Sequence, residues 1–140
     1  MKRVRRKIKD KVDYKTLAEF RLQLRRFLAF SEANASKNDL TSQNYQALLT
    51  IKGLSGADDQ MSVGELADFL LVKHHTAVGL VDRMVKSGLL KRSRDCHDGR
   101  RIHVVLTPKG EQKLSNVAEL NWAELRSHRL ALPKALKSSS

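Results

Sequence analysis

The feature that most restricts the fold of this chain is a run of helix punctuation between residues 61 and 108. Ser62-Val63-Gly64-Glu65 has the form of a capping box, and Met61 and Leu66 stand at the spacing of a hydrophobic staple. That opens a short helix reaching about Leu70. Residues 71–73 make a tight connection, and a second helix runs over about 74–87. Gly88 then stands where a left-handed residue ends a helix. Two helices of this size joined by so short a turn form a helix-turn-helix. Two runs with strand character follow, 89–94 and 101–106. The turn formers Asp95, His97, Asp98 and Gly99 lie between them, so a β-hairpin is the natural reading. Thr107-Pro108 supplies an N-cap and a proline at the first helical position, a strong helix start.

Helical patterns flank this unit. One helix is expected over 14–37, with Leu17, Phe20, Leu24, Phe27 and Leu28 along one side. Thr41 reads as the N-cap of another, with Leu40 and Tyr45 at staple spacing, and Tyr45, Leu48 and Leu49 precede an end near Gly53. The last helix carries Leu114, Val117, Leu120 or Asn121, and Leu125, and is expected to reach about Leu130 before Pro133. Residues 133–140 read as a loose tail. The arm over residues 1–13 is rich in Lys and Arg. It reads equally as a basic tail or, through Val4, Ile8 and Val12, as an amphipathic extension of the first helix. Aromatic residues are 5% of the chain and there are two prolines, which favours a mainly α fold carrying a small β-hairpin.

Several function classes drop out. No apolar run approaches the roughly 18 residues of a membrane span. The N-terminus lacks the apolar stretch of a secretory signal. Cys96 is alone, so no internal disulfide forms and a reducing, cytoplasmic setting is expected. There is no Gly-rich phosphate loop or nucleophile elbow, so neither catalysis nor a cofactor is expected. His74, His75, Cys96, His97 and His103 match no closed zinc spacing, so no metal is expected. What remains is charge. A net +12 is self-repulsion that an anionic partner offsets. Nucleic acid is the leading candidate, against an anionic membrane surface or a purely solubilising role.

The 74–87 helix sharpens this. At about 100° per residue, Ala77, Leu80, Val81, Met84 and Val85 gather on one side, and His75, Thr76, Gly79, Asp82, Arg83 and Lys86 gather opposite. Glycine costs about 1 kcal/mol against alanine in a helix. Gly79 is intelligible where the backbone must come close to something, such as the floor of a DNA major groove. His75 and Thr76 sit near the end that contacts base edges in such helices, and Lys73 with the free N–H groups there suits phosphate. An ordinary solvated helix face is the competing reading. In the hairpin, Lys91, Arg92 and Arg94 lead in and Arg100 and Arg101 lead out. Arginine at a protruding hairpin suits a narrow minor groove. Asp98 is placed to orient Arg100 through a bidentate pair, against the alternative of an exposed ion pair of little consequence.

Taken in order, these residues resemble the MarR family of winged helix-turn-helix regulators. Met61-Ser-Val-Gly-Glu-Leu-Ala67, His74-His-Thr-Ala-Val-Gly-Leu-Val-Asp-Arg83 and Gly88-Leu-Leu-Lys-Arg92 are similar to its helix-turn-helix. Asp98-Gly-Arg-Arg101, then Val104-Val-Leu-Thr-Pro-Lys-Gly110, resemble its wing and following helix, and 40–49 its second helix. The resemblance covers about residues 14–125.

It implies a homodimer on a pseudo-palindromic duplex, with His74, His75, Thr76 and Arg83 at recognition-helix positions and Asp98 and Arg100 as the wing pair. The residue reading above adds Lys73 and Gly79 to the helix and Arg92, Arg94 and Arg101 to the wing. The resemblance further implies a helical dimerisation region from both termini, 14–37 and 108–132, with Leu17, Phe20, Leu24, Leu120 and Leu125 at the interface, around a DNA-binding lobe over 38–107. A small anionic aromatic effector is implied as well. Phe27, Phe30 and Trp122 are the candidates to line its crevice, although core packing also explains an aromatic stripe. Three departures stand out. Pro133 falls where dimer-helix sequence would continue, the basic arm is unusual and open to phosphate contact, and Cys96 lies in the wing, so peroxide sensing through a first-helix cysteine is not expected. The expectation is a ligand-responsive repressor. A winged-helix module for protein contacts or non-specific nucleic-acid binding is the alternative.

Overall fold

The computed structural model describes residues 11–56, 58–94 and 102–127, and holds five helices and a three-stranded antiparallel sheet among them. Helix α1 (Tyr14–Lys37) starts at Asp13, whose carboxylate accepts from the Thr16 hydroxyl at 2.7 Å and its N–H at 3.1 Å. The Thr16 hydroxyl, then its N–H, hold that carboxyl below its ordinary pKa. Helix α2 (Ser42–Leu54) is capped by Thr41, which accepts from the Asn44 N–H at 3.0 Å. Its buried side is Tyr45, Ala47, Leu48 and Ile51, whereas Leu49, expected with them, is 44% exposed.

Both halves of the capping box are formed at α3 (Val63–Leu70). The Glu65 N–H donates to Ser62 Oγ at 3.1 Å, and the Ser62 N–H donates to Glu65 Oε1 at 3.4 Å. Met61 and Leu66 are fully buried beneath it. The turn is made by Leu71 in the left-handed region (φ 58°), a conformation that costs a non-glycine residue about 1 kcal/mol. The Val72 N–H closes it onto the Ala67 carbonyl at 3.1 Å. Helix α4 (His74–Lys86) follows and buries Ala77, Leu80, Val81 and Met84. Gly88 (φ +76°) ends it, with the Leu89 N–H reaching back to Met84 O at 2.9 Å.

Strands β2 (Leu90–Arg94) and β3 (Ile102–Leu106) pair antiparallel with Arg92 opposite Val104. The expected hairpin is extended into a sheet by β1 (Met61–Ser62), which pairs with the other edge of β3, Met61 opposite Val104. Two residues carry no alternation to read, and these two already serve as the cap and staple of α3. Helix α5 (Pro108–Arg126) is capped by Thr107, which accepts from the Gly110 N–H at 3.0 Å and donates to the Gly88 carbonyl. Its buried face is Gly110, Leu114, Val117 and Asn121. Leu120 and Leu125 lie off that face, 46% and 40% exposed, so the choice left open between Leu120 and Asn121 falls on the asparagine.

Leu48, Ile51, Met61, Leu66, Val81, Met84, Leu90, Val104 and Val117 fill the centre of one core, drawn from α2, α3, α4, α5 and the sheet. Two features join its outer parts. An added Cβ on Gly110 would run into the Leu89 carbonyl, so α5 crosses the start of β2 at a distance only glycine permits. Helix α1 is tied to α5 by buried amides: Asn34 Nδ2 donates to Asn121 Oδ1 at 3.1 Å, and Asn121 Nδ2 donates to Ser31 Oγ at 2.8 Å.

Candidate nucleic-acid interface

The core face of α4 fixes which side chains remain outside. Lys73, His74, His75, Thr76 and Arg83 are all exposed, and Gly79 is half-buried between them. Lys73 occupies the N-cap position without making a side-chain cap bond, so the positive end of the helix dipole is left open to an outside acceptor. Around Gly79, an added Cβ would meet only Arg83 Nη1, at 3.4 Å. Nothing packed against that position inside the fold demands a glycine.

On the strand side, Arg92 and Arg94 are exposed, while Asp98, Arg100 and Arg101 lie outside the described residues, as do the expected turn over 95–99, residues 1–10 of the arm and the 133–140 tail. Arg92, read from sequence as a cation for nucleic acid, is paired within the fold. Its Nη2 bonds to Asp82 Oδ1 on α4. No pattern in the sequence links these two, since they stand on a helix and a strand of different period. Other carboxylates are engaged away from α4. Glu111, by hydrogen bond and charge, and Asp59 raise the pKa of Lys52, whose Nζ lies 3.1 Å and 3.6 Å from them.

The two interhelical candidates separate. Leu17 is 53% exposed, and Phe20 and Leu24 are half-buried, so α1 leaves apolar surface uncovered, as α5 does at Leu120 and Leu125. An apolar groove of about 570 Å³ opens between α1, α2 and α5, lined by Phe27, Tyr45, Leu49, Ala118, Trp122 and Leu125 among others. Of the three aromatics expected to line a crevice, Phe27 and Trp122 do so and Phe30 is not among the lining. Among the described residues no three metal-ligating side chains come together, and no helix is long and apolar enough to cross a membrane.

Comparison with known proteins agrees with this geometry. The sequence profile described as MarR family matches residues 38–101. An HTH-type transcriptional regulator of Bacillus subtilis, YsmB, is 35% identical over 66 residues, covering 47% of this chain and 45% of that protein. The chain thus spans about half the length of the relatives it matches in sequence. The crystal structure of a probable transcriptional regulator from Pseudomonas aeruginosa is 32% identical with a TM-score of 0.56, covering 79% of each chain. An S. aureus MepR mutant bound to an oligodeoxyribonucleotide superposes with a TM-score of 0.64 at 16% identity, over 91% of this chain and 90% of that one, a likeness of fold.

Proposed function

The chain belongs to the MarR family, and from that premise we propose that it is a sequence-specific, duplex DNA-binding transcription regulator, acting in the cell interior as a homodimeric, ligand-responsive repressor. The observation that carries the reading is the outer face of α4. It has an open N-terminus, exposed His75, Thr76 and Arg83, and a glycine that no intramolecular contact requires. That is the surface a helix needs to press its backbone into a major groove. The DNA-bound MepR structure supports it by analogy of fold.

In this reading the 38–107 lobe engages DNA, and α1 with 108–132 joins two copies through Leu17, Phe20, Leu24, Leu120 and Leu125. Lys73, His74 and the helix N-terminus hold phosphate, His75 and Thr76 reach base edges, and Arg94, Arg100 and Arg101 approach a flanking minor groove, Arg100 steadied by Asp98. Two α4 helices then address adjacent major grooves of a pseudo-palindrome. The apolar groove beside Phe27 and Trp122 is the place for a small anionic aromatic, whose binding releases DNA.

The test is selection of duplexes from a randomised library, followed by fluorescence anisotropy with the enriched duplex and a scrambled copy at several salt concentrations. A pseudo-palindromic enriched sequence that binds more tightly than its scrambled copy at moderate salt is the expected result. Equal, steeply salt-dependent binding to both would leave a non-specific nucleic-acid binder. No binding at low salt would move the winged helix to a protein partner.

A further inference from the structure

Resting on the duplex-binding reading, we propose that Asp82 is a positioning residue that sets the wing against the recognition helix by holding Arg92, and that Arg92 works through this pair rather than as a phosphate contact.

The placement follows from the two periodicities. Side chains alternate along a strand, and Leu90 at the start of β2 is buried. Arg92, two residues on, therefore leaves the sheet on the same side as Leu90, the side against which α4 packs. On α4, Asp82 is seven residues from His75 and four from Lys86, on the exposed stripe opposite Ala77 and Met84. The two side chains meet at the seam between helix and strand.

A carboxylate on that stripe is otherwise hard to account for. It faces the polyanion the stripe is proposed to bind, on a chain whose net charge is +12. An exposed ion pair adds little to fold stability, so stability does not explain it either. What the pair does is join the two elements aimed at different grooves. The backbone already joins them at the Gly88 turn, where the Leu89 N–H bonds to Met84 O and the Thr107 hydroxyl to the Gly88 carbonyl, and the Asp82–Arg92 pair adds a side-chain tie further along β2.

Charge and position predict opposite signs, which makes the inference testable. Asp82→Asn removes a negative charge from the binding face, so by charge alone every duplex should bind more tightly. If the pair positions the wing, the enriched duplex should bind less tightly while the scrambled one does not. We expect Asp82→Asn and Arg92→Gln each to lower the enriched-to-scrambled affinity ratio about fivefold, the scale of one well-formed surface pair. The double variant should be no worse than either single one. Asp82→Glu should restore most of the ratio, and Arg92→Lys, which keeps charge but loses the planar fork, should not. Melting temperatures run alongside identify any variant that fails to fold, and Asp82→Glu against Arg92→Lys then decides alone.

Uniform tightening of both duplexes by Asp82→Asn, or a salt slope steeper by about one phosphate contact, would overturn the inference and make Arg92 a latent phosphate ligand. An unchanged ratio in all variants would overturn it too. Failure of the wild-type protein to distinguish the two duplexes would remove the underlying reading, a result visible before any variant is made.

Discussion

Replacing Gly110 with alanine should be among the most damaging single-methyl changes available in this chain. Alanine is ordinarily favoured over glycine inside a helix by about 1 kcal/mol. Here the new Cβ would overlap the Leu89 carbonyl oxygen, and would lie 3.2 Å from its carbon and 3.4 Å from Leu48 Cδ2. Leu89 has little freedom to retreat, because its N–H is bonded to Met84 O at 2.9 Å and its carbonyl accepts from the Thr107 N–H at 3.1 Å. The movement must come from α5, whose Leu114 and Val117 are 5% and 0% exposed on the same face. Overpacking of this kind costs typically 1–3 kcal/mol before the lost burial is counted, so a net loss of about 2–4 kcal/mol is expected. In a chain of this size that lowers Tm by roughly 6–12 °C. Gly53→Ala is the control, since nothing lies within 4 Å of that position, and it should gain up to about 1 kcal/mol. Thermal and urea unfolding by circular dichroism, at one fixed protein concentration, measures both. Gly110→Ala melting at or above the wild type would refute the reasoning that α5 is seated through this glycine.

Gly79→Ala should separate stability from binding: it should gain up to about 1 kcal/mol in urea unfolding through helix propensity, because only the flexible Arg83 tip stands near the new methyl, while duplex binding by anisotropy weakens. Leu71→Gly should raise stability by up to about 1 kcal/mol in urea unfolding, since the residue holds φ 58° and its side chain is 91% exposed, leaving strain to relieve and almost no packing to lose. Lys52 has a folded pKa raised above 10.5 by Glu111 and Asp59. Its contribution is present in full below that ordinary value and fades as pH rises through the higher folded one, so Lys52→Met should flatten the alkaline limb of a Tm–pH curve.

What was legible in the sequence is what short-range chemistry encodes. Thr41, Ser62, Gly88 and Thr107 each announce a helix end within three residues of themselves, and the structure ends and starts helices there. What was not legible joins residues far apart in the chain. Gly110 looks like any glycine in a helix start until Leu89 is placed beneath it. Asn121 breaks an apolar stripe and reads as a poor alternative to Leu120, because its partners, Asn34 and Ser31, lie 87 and 90 residues away. Asp82 and Arg92 belong to elements of different period. The β1 strand is hidden by its own shortness. Each of these fixes how one element sits on another, and pattern reading along a single chain has no term for that.

The same distinction explains why α1 and α5 expose apolar side chains at positions their helical period would bury. Leu120 satisfies the helical period of α5 but not the contact with α1, which Asn121 takes. It is therefore left 46% exposed, and Leu125 of the same helix and Leu17 of α1 are 40% and 53% exposed. Side chains of this kind spread over two helices make a surface that a second copy can cover. Full burial of a leucine is worth about 1.5–3 kcal/mol, so covering a half-exposed one returns about 1 kcal/mol, and a two-fold interface counts it twice. Leu120→Ala should then weaken self-association by about 2 kcal/mol, roughly 30-fold in Kd, while hardly disturbing the fold. Sedimentation velocity across a concentration series reads this directly. A wild-type protein that stays monomeric throughout, or a Leu120→Ala variant with an unchanged Kd, would mean that this exposed face is covered by something other than a second copy through these residues.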